Sequence, residues 1–200
     1  MAGGTLLRAL RGADLVELMD DGLLSTEVPP CSALYFWKLD LAAVDVRSLD
    51  AAAGLAWLQL LSATPVGRTR AARIGHYLRL ENLRLSAGPL PATKSASLKT
   101  FLAKSGNRNW MHRFLEELGQ HAPALYVGET GDLPARIKQH MSGASDFGRM
   151  VKDSEDLDWT RLQLQYCSLG PPSQEGSSTR TALEYFATTV TIAGYTTRPG

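Results

Sequence analysis

Between Leu125 and His140 the chain reads Leu-Tyr-Val-Gly-Glu-Thr-Gly-Asp-Leu-Pro-Ala-Arg-Ile-Lys-Gln-His, and this run carries the residues best suited to chemistry. Its order predicts a short apolar strand, a glycine turn and a helix that tolerates Pro134 in its first turn. Arg136 and His140 stand four apart, so they share a face of that helix. A guanidinium offers a planar fork of donors that matches phosphate oxygens, and its fixed charge favours a transition state that spreads negative charge. With an imidazole beside it and Tyr126 at the strand end, the group suits a phosphate-directed site. Two polar residues on a solvated helix face have the same spacing, so this run alone leaves both readings open.

The distribution of charge points the same way. The whole chain has a formal net charge of +1, with 21 basic and 20 acidic residues. From Val66 to Arg113, however, ten basic residues (Arg68, Arg70, Arg73, Arg79, Arg84, Lys94, Lys99, Lys104, Arg108 and Arg113) face one acid, Glu81. That segment carries +9 and the remainder −8. A segment so polarised is a candidate footprint for a polyanion such as nucleic acid. Arginines paired with acids from elsewhere in the fold would read identically.

The elements that must position these residues follow from periodicity and caps. Asp14 to Met19 reads as a short helix ended near Gly22, and Cys31 to Asp40 as an aromatic and apolar strand. Asp50 caps a helix of alanines and leucines through Leu61. Tyr77 to Leu85 alternates apolar and basic residues around Glu81-Asn82, which predicts a basic hairpin turning there. A short helix is expected from Ser95 to Ala103. In the next, Met111, Phe114, Leu115 and Leu118 fall at i, i+3, i+4 and i+7 and predict one buried face. Trp110 and His112 lie off that stripe. Ala124 to Val127 is a short strand, Leu133 to Met141 a helix, and Arg161 to Cys167 a half-buried strand. A last helix runs from about Thr179 to Ile192, with Ala182, Tyr185, Phe186, Thr189 and Val190 as its apolar face.

The run around Tyr126 resembles the second signature of the GIY-YIG nuclease family. That signature is Tyr-apolar-Gly, then Thr, Leu and Arg at fixed offsets, met here by Tyr126, Val127, Gly128, Thr130, Leu133 and Arg136. His140 sits where several members carry a histidine. The first signature, Gly-Ile-Tyr, corresponds to Ala33-Leu34-Tyr35, so its glycine and isoleucine are replaced. Glu184, the only acidic residue of the last helix, stands where the family has its acidic metal ligand. The two signature tyrosines, usually close in sequence, are 91 positions apart here, and the intervening chain holds the whole basic segment. The asparagine that often follows the last helix in the family has no counterpart in Ala193-Gly-Tyr-Thr-Thr-Arg.

The resemblance implies an α/β domain with a small three-stranded mixed or antiparallel sheet flanked by helices. It would span 31–200, follow an N-terminal helical extension at 1–30, and be interrupted by a basic, mainly helical insertion at 41–120. It further implies a DNA endonuclease, with RNA as a possible substrate, and Tyr35, Tyr126, Arg136, His140 and Glu184 as catalytic residues. Glu184 would hold Mg²⁺ or Mn²⁺, and Arg136 would stabilise the pentacoordinate phosphate. Tyr126 and His140 would position it or shuttle protons, and Tyr35 would orient or deprotonate water. For the last role, Arg136 and the metal would have to lower Tyr35 from its usual pKa of about 10. The alternative is a catalytically inactive nucleic-acid-binding module on the same fold.

Composition sets the outer bounds. With 200 residues, 44% hydrophobic and 20% charged, the chain suits one elaborated domain or two small ones and excludes wholesale disorder. Cys31 and Cys167 are too few for a disulfide framework and lack metal-ligand spacing. No apolar run approaches the length of a membrane span, and residues 1–11 lack the apolar core of a secretory signal, so a cytoplasmic protein is expected.

Overall fold

The computed structural model describes residues 6–64, 67–74, 78–85, 90–155, 157–173 and 178–191, with the backbone alone at 67–74, 78–85 and 189–190. In chain order the first elements are β1 (Arg8–Arg11), α1 (Gly12–Asp20), α2 (Leu24–Glu27), β2 (Ser32–Leu39) and α3 (Ala51–Ala63). Then come β3 (Gly67–Ile74), β4 (Leu78–Leu85), α4 (Ala92–Leu102), α5 (Ser105–His121) and β5 (Ala124–Thr130). The chain closes with α6 (Leu133–Met141), α7 (Asp146–Lys152), β6 (Leu162–Gly170) and α8 (Ser178–Thr191). It forms two compact units, one from Met1–Leu39 with Pro123–Gly200, the other from Asp40–Ala122.

The first unit is mixed α/β. Its sheet has the order β1-β6-β2-β5 with every pair antiparallel. There are thus four strands where three were expected. The extra one comes from the N-terminal segment expected to be helical: Arg8 pairs with Tyr166 and Leu10 with Leu164. Four residues are too few to display a period of two, so nothing in the sequence announces this edge strand.

Strand alternation gives the sheet two distinct faces. On one, Tyr35 and Trp37 of β2 stand opposite Gly128 and Tyr126 of β5, and opposite Tyr166 and Leu164 of β6. Trp37 packs its ring against His140, Phe147 and Trp159, so α6 and α7 cover this face. On the other, Leu34, Phe36 and Val127 pack against Ala187 of α8. Arg180, buried on the same helix, donates from Nε to the Glu129 carboxylate at 2.9 Å. The buried stripe of α8 is not the expected one: of the residues assigned to its apolar face, Ala182, Tyr185 and Phe186 are exposed, and the side chains of Thr189 and Val190 lie outside the described residues.

The second unit has its own core of Ala42, Val46, Trp57, Leu102, Met111 and Leu115. Asp50 caps α3 by accepting from the N–H groups of Ala52 and Ala53, both at 2.8 Å. Two expectations fail here. The hairpin does not turn at Glu81-Asn82: β4 is one continuous strand paired with β3, and Glu81 stands opposite Ala71. On α5, Met111 and Leu115 are buried but Phe114 and Leu118 are exposed. The helix is rotated so that His112 goes inward instead, with Nδ1 3.8 Å from Asp45 and Nε2 3.5 Å from Glu116. No helix among the described residues is long and apolar enough to cross a membrane.

Candidate active site

The turn from β5 into α6 is built by its own sequence. Thr130 Oγ1 donates to the Asp132 carbonyl at 3.0 Å and accepts from the Asp132 N–H at 3.1 Å. The Asp132 carboxylate then caps α6 by accepting from the Ala135 N–H at 3.2 Å. The Leu133 N–H donates to the Cys31 carbonyl at 3.0 Å, which ties the start of α6 to the chain entering β2. With that start fixed, Leu133, Arg136, Ile137 and His140 fall on the side of the helix facing the sheet. Leu133, Ile137 and His140 are buried there, and Arg136 is half-buried.

Three of these elements meet in a chain of polar contacts. Arg136 Nε donates to the Tyr35 hydroxyl at 3.1 Å. The same hydroxyl shares a hydrogen bond of 2.8 Å with His140 Nε2. His140 Nδ1 lies 2.5 Å from Ser145 Oγ, which also accepts from the Gly148 N–H at 3.0 Å and so caps α7. Tyr126 closes the group, its ring centroid 6.1 Å from Tyr35 and 5.4 Å from His140, stacked on Phe147 at 4.7 Å. Gly128 makes the approach possible, because a Cβ there would run into the Tyr35 hydroxyl and lie 2.9 Å from Tyr126 Cε1.

Burial divides the cluster. His140 is 0% exposed and Tyr35 1%, whereas Arg136 and Tyr126 are half-buried and reach solvent. Desolvation and the neighbouring Arg136 push His140 down from its usual value to about 3, so the imidazole is neutral at pH 7. Burial, reinforced by Tyr126, drives Tyr35 upward, and the opposing pull of Arg136 is too small to reverse it. This corrects the expectation that the site lowers Tyr35: the protein alone keeps it a neutral phenol. Two proton arrangements satisfy the chain. Tyr35 O–H donates to Nε2 while Nδ1–H donates to Ser145, or Ser145 O–H donates to Nδ1 while Nε2–H donates to Tyr35. They differ in the imidazole tautomer, and passing from one to the other takes up a proton at one hydroxyl and releases one at the other, so the group has the connectivity of a proton relay.

Four of the five expected residues (Tyr35, Tyr126, Arg136 and His140) therefore converge. The fifth, Glu184, is half-buried on α8, on the helix stripe shared by Arg180 and Ala187, and Ala187 packs on Leu34, Phe36 and Val127. Among the described residues no group of three or more His, Cys, Asp or Glu side chains could hold a metal ion. A magnesium ion held by Glu184 would be completed by water and substrate oxygens. Magnesium commonly accepts such a donor set.

Sequence reasoning overlooked Ser145. The signal was available: a serine five residues after His140, three before a glycine, in the position of a helix cap. Of the basic segment, Lys94, Lys99, Lys104 and Arg113 are exposed. Arg108 is occupied locally, Nη1 donating to the carbonyls of Leu102 at 3.0 Å and Ala103 at 3.4 Å. Arg68 pairs through the backbone with Arg84, and Arg73 with Arg79. The side chains of these four and of Arg70 lie outside the described residues. Compared with family models, curated proteins and solved structures, the chain matches none.

Proposed function

We propose that the chain is a metal-dependent endonuclease of GIY-YIG type that hydrolyses phosphodiester bonds of DNA. The observation that carries this reading is the Arg136–Tyr35–His140 chain of contacts, with Tyr126 beside it. Arg136 directs Nε to Tyr35 and Nη1 to Gln139, which holds the guanidinium in place while its solvent side offers charge to a phosphate oxygen. That charge is worth most when the phosphorane forms. Attack by water breaks the bond from phosphorus to the leaving oxygen, and the water gives up a proton. The neutral imidazole of His140 accepts a proton through the Tyr35 hydroxyl, which takes the proton of the water as it passes its own to Nε2. Tyr35 thus acts without standing as a phenolate. Glu184 would hold Mg²⁺ or Mn²⁺, and the ion would supply Lewis-acid charge at the phosphate. RNA presents the same phosphodiester and is the alternative substrate.

One observation favours a second reading, a nucleic-acid-binding module without catalysis. Tyr35 is 1% exposed and its hydroxyl is bonded within the protein. A cleavage assay on supercoiled plasmid and on single-stranded DNA, with Mg²⁺, with Mn²⁺ and with chelator, separates the two. Nicking that requires the metal and disappears in Tyr35→Phe supports the nuclease. Binding without cleavage under every metal condition supports the module and removes the nuclease reading.

A further inference from the structure

The helices α4 and α5 carry an arrangement that the chemistry above does not use. Trp110 is 55% exposed and Phe114, one turn further along α5, 41%. Their rings lie parallel, 8° between planes and 5.1 Å between centroids, while Phe101 from the last turn of α4 meets Trp110 edge-on at 5.8 Å. Two parallel, half-exposed rings form an open stack onto which another π-face can add.

The junction beneath this stack is fixed. Asn107 Nδ2 donates to the Phe101 carbonyl at 2.8 Å, and Arg108 satisfies the carbonyls of Leu102 and Ala103. These side chains supplement the backbone at the end of α4, where the last carbonyls of a helix lack intrahelical partners. Leu102, between them, is fully buried against Gly54 and the core of the unit. The aromatic pair is thus presented by a rigid support rather than by a loop.

Cations dominate the chain up to this pair, and two exposed acids, Glu116 and Glu117, follow it on the next turn of α5. From Ala92 to Leu115 the chain has five cations and no acid, and Lys94, Lys99, Lys104 and Arg113 are exposed. Arg113 lies three residues after Trp110 on the same helix, and Lys104 immediately precedes that helix. Aromatic rings among cations fit a ligand that is polyanionic and offers unpaired flat rings. Duplex DNA keeps its rings stacked internally, whereas a single strand leaves them free to stack on a protein ring.

We infer that the α4–α5 surface docks single-stranded nucleic acid, with bases stacking on Trp110 and Phe114 and phosphates held by Lys99, Lys104 and Arg113. The inference rests on the proposed function for its class of partner, and its own residues lie outside the Tyr35 cluster. A single strand presents both features at once, and base stacking on an aromatic side chain tolerates any sequence.

Binding of a labelled oligothymidine and of a duplex of equal length to the full chain, in chelator so that no cleavage intervenes, tests it. Trp110→Ala should weaken binding of the single strand by about tenfold, within the range for removing one stacked base, and leave the duplex unchanged. Trp110→Phe should restore most of that affinity. Replacing Lys99, Lys104 and Arg113 by glutamine should flatten the salt dependence for the single strand by about 0.7 for each phosphate no longer neutralised. Failure of the nuclease reading leaves this test intact, since a protein that never cleaves can still show binding that depends on Trp110. Equal oligothymidine affinity for the wild type and Trp110→Ala would overturn the inference. So would a Trp110→Ala protein whose altered property is self-association, which would give the stripe to a second copy.

Discussion

Tyr35 and His140 are 105 positions apart in the chain, yet the tyrosine hydroxyl and Nε2 share a buried hydrogen bond of 2.8 Å. The bond joins the central sheet to α6, and both partners are shut off from solvent while Arg136 and Tyr126 face it. On the proposed reading, recognition of phosphate and handling of the proton fall to different residues. Arg136 meets the substrate, and His140 acts from behind through Tyr35.

Burial of His140 makes stability depend on pH in a defined direction. Its folded value of about 3 lies below that of an unfolded histidine, near 6.5, so the unfolded chain binds the extra proton first. The contribution is complete above about pH 6.5 and is lost at about 1.4 kcal/mol per pH unit as pH falls toward 3. Denaturant titrations from pH 7 to 4 should show this slope, and His140→Gln should remove that component. Equal slopes in the two proteins would mean that His140 is protonated in the folded state.

Ser145 is expected to position His140 and not to touch substrate. Ser145→Ala should cost about 1 kcal/mol by removing the cap of α7. It should also change the ¹⁵N shifts of the His140 ring, because Nδ1 loses its partner. Ser145→Thr keeps a hydroxyl at both tasks and should restore the shifts. Ring shifts unchanged in Ser145→Ala would dissociate the serine from the relay.

Gly128 is required by close approach, since a Cβ there meets Tyr35 and Tyr126 together. Gly128→Ala should therefore destabilise the fold by about 1–3 kcal/mol, the usual range for overpacking. The glycine is needed to let two tyrosines close on one another. A melting temperature equal to that of the wild type would show that the rings can part freely.

The site is more legible in the sequence than the framework around it. Tyr126, Gly128, Thr130, Leu133, Arg136 and His140 lie on one strand, turn and helix, so their spacing alone fixes most of their geometry. The electrostatics of Tyr35 are not legible, because the desolvation that raises it comes from elements remote in sequence. Rotation about a helix axis is equally hidden. Phe114 and Leu118 fit the periodic stripe of α5 but are exposed, and the buried His112 takes the inward position. On α8, Arg180 and Ala187 are buried while Tyr185 and Phe186 are exposed, and no period of apolar residues encodes the Arg180–Glu129 ion pair. β4 runs straight through Glu81-Asn82, a weak turn signal inside a uniformly alternating strand.

On the proposed reading, Glu184 is the carboxylate that would hold the metal. Glu184→Gln keeps the size of the side chain and removes the charge. Cleavage should collapse at every Mg²⁺ concentration while DNA binding in chelator persists. Full activity of this variant at limiting Mg²⁺ would assign the metal to another carboxylate.

The most direct measurement is the rate of DNA cleavage by Arg136→Ala under single-turnover conditions, set beside its affinity for the same DNA. The account predicts a fall of roughly 10²–10³-fold in rate with little change in affinity, because the guanidinium acts on charge that appears only in the transition state. Arg136→Lys should recover little, since a point charge does not reproduce the planar fork. A wild-type rate in a folded Arg136→Ala protein, or a loss confined to affinity, would contradict the assignment of this cluster as the catalytic centre.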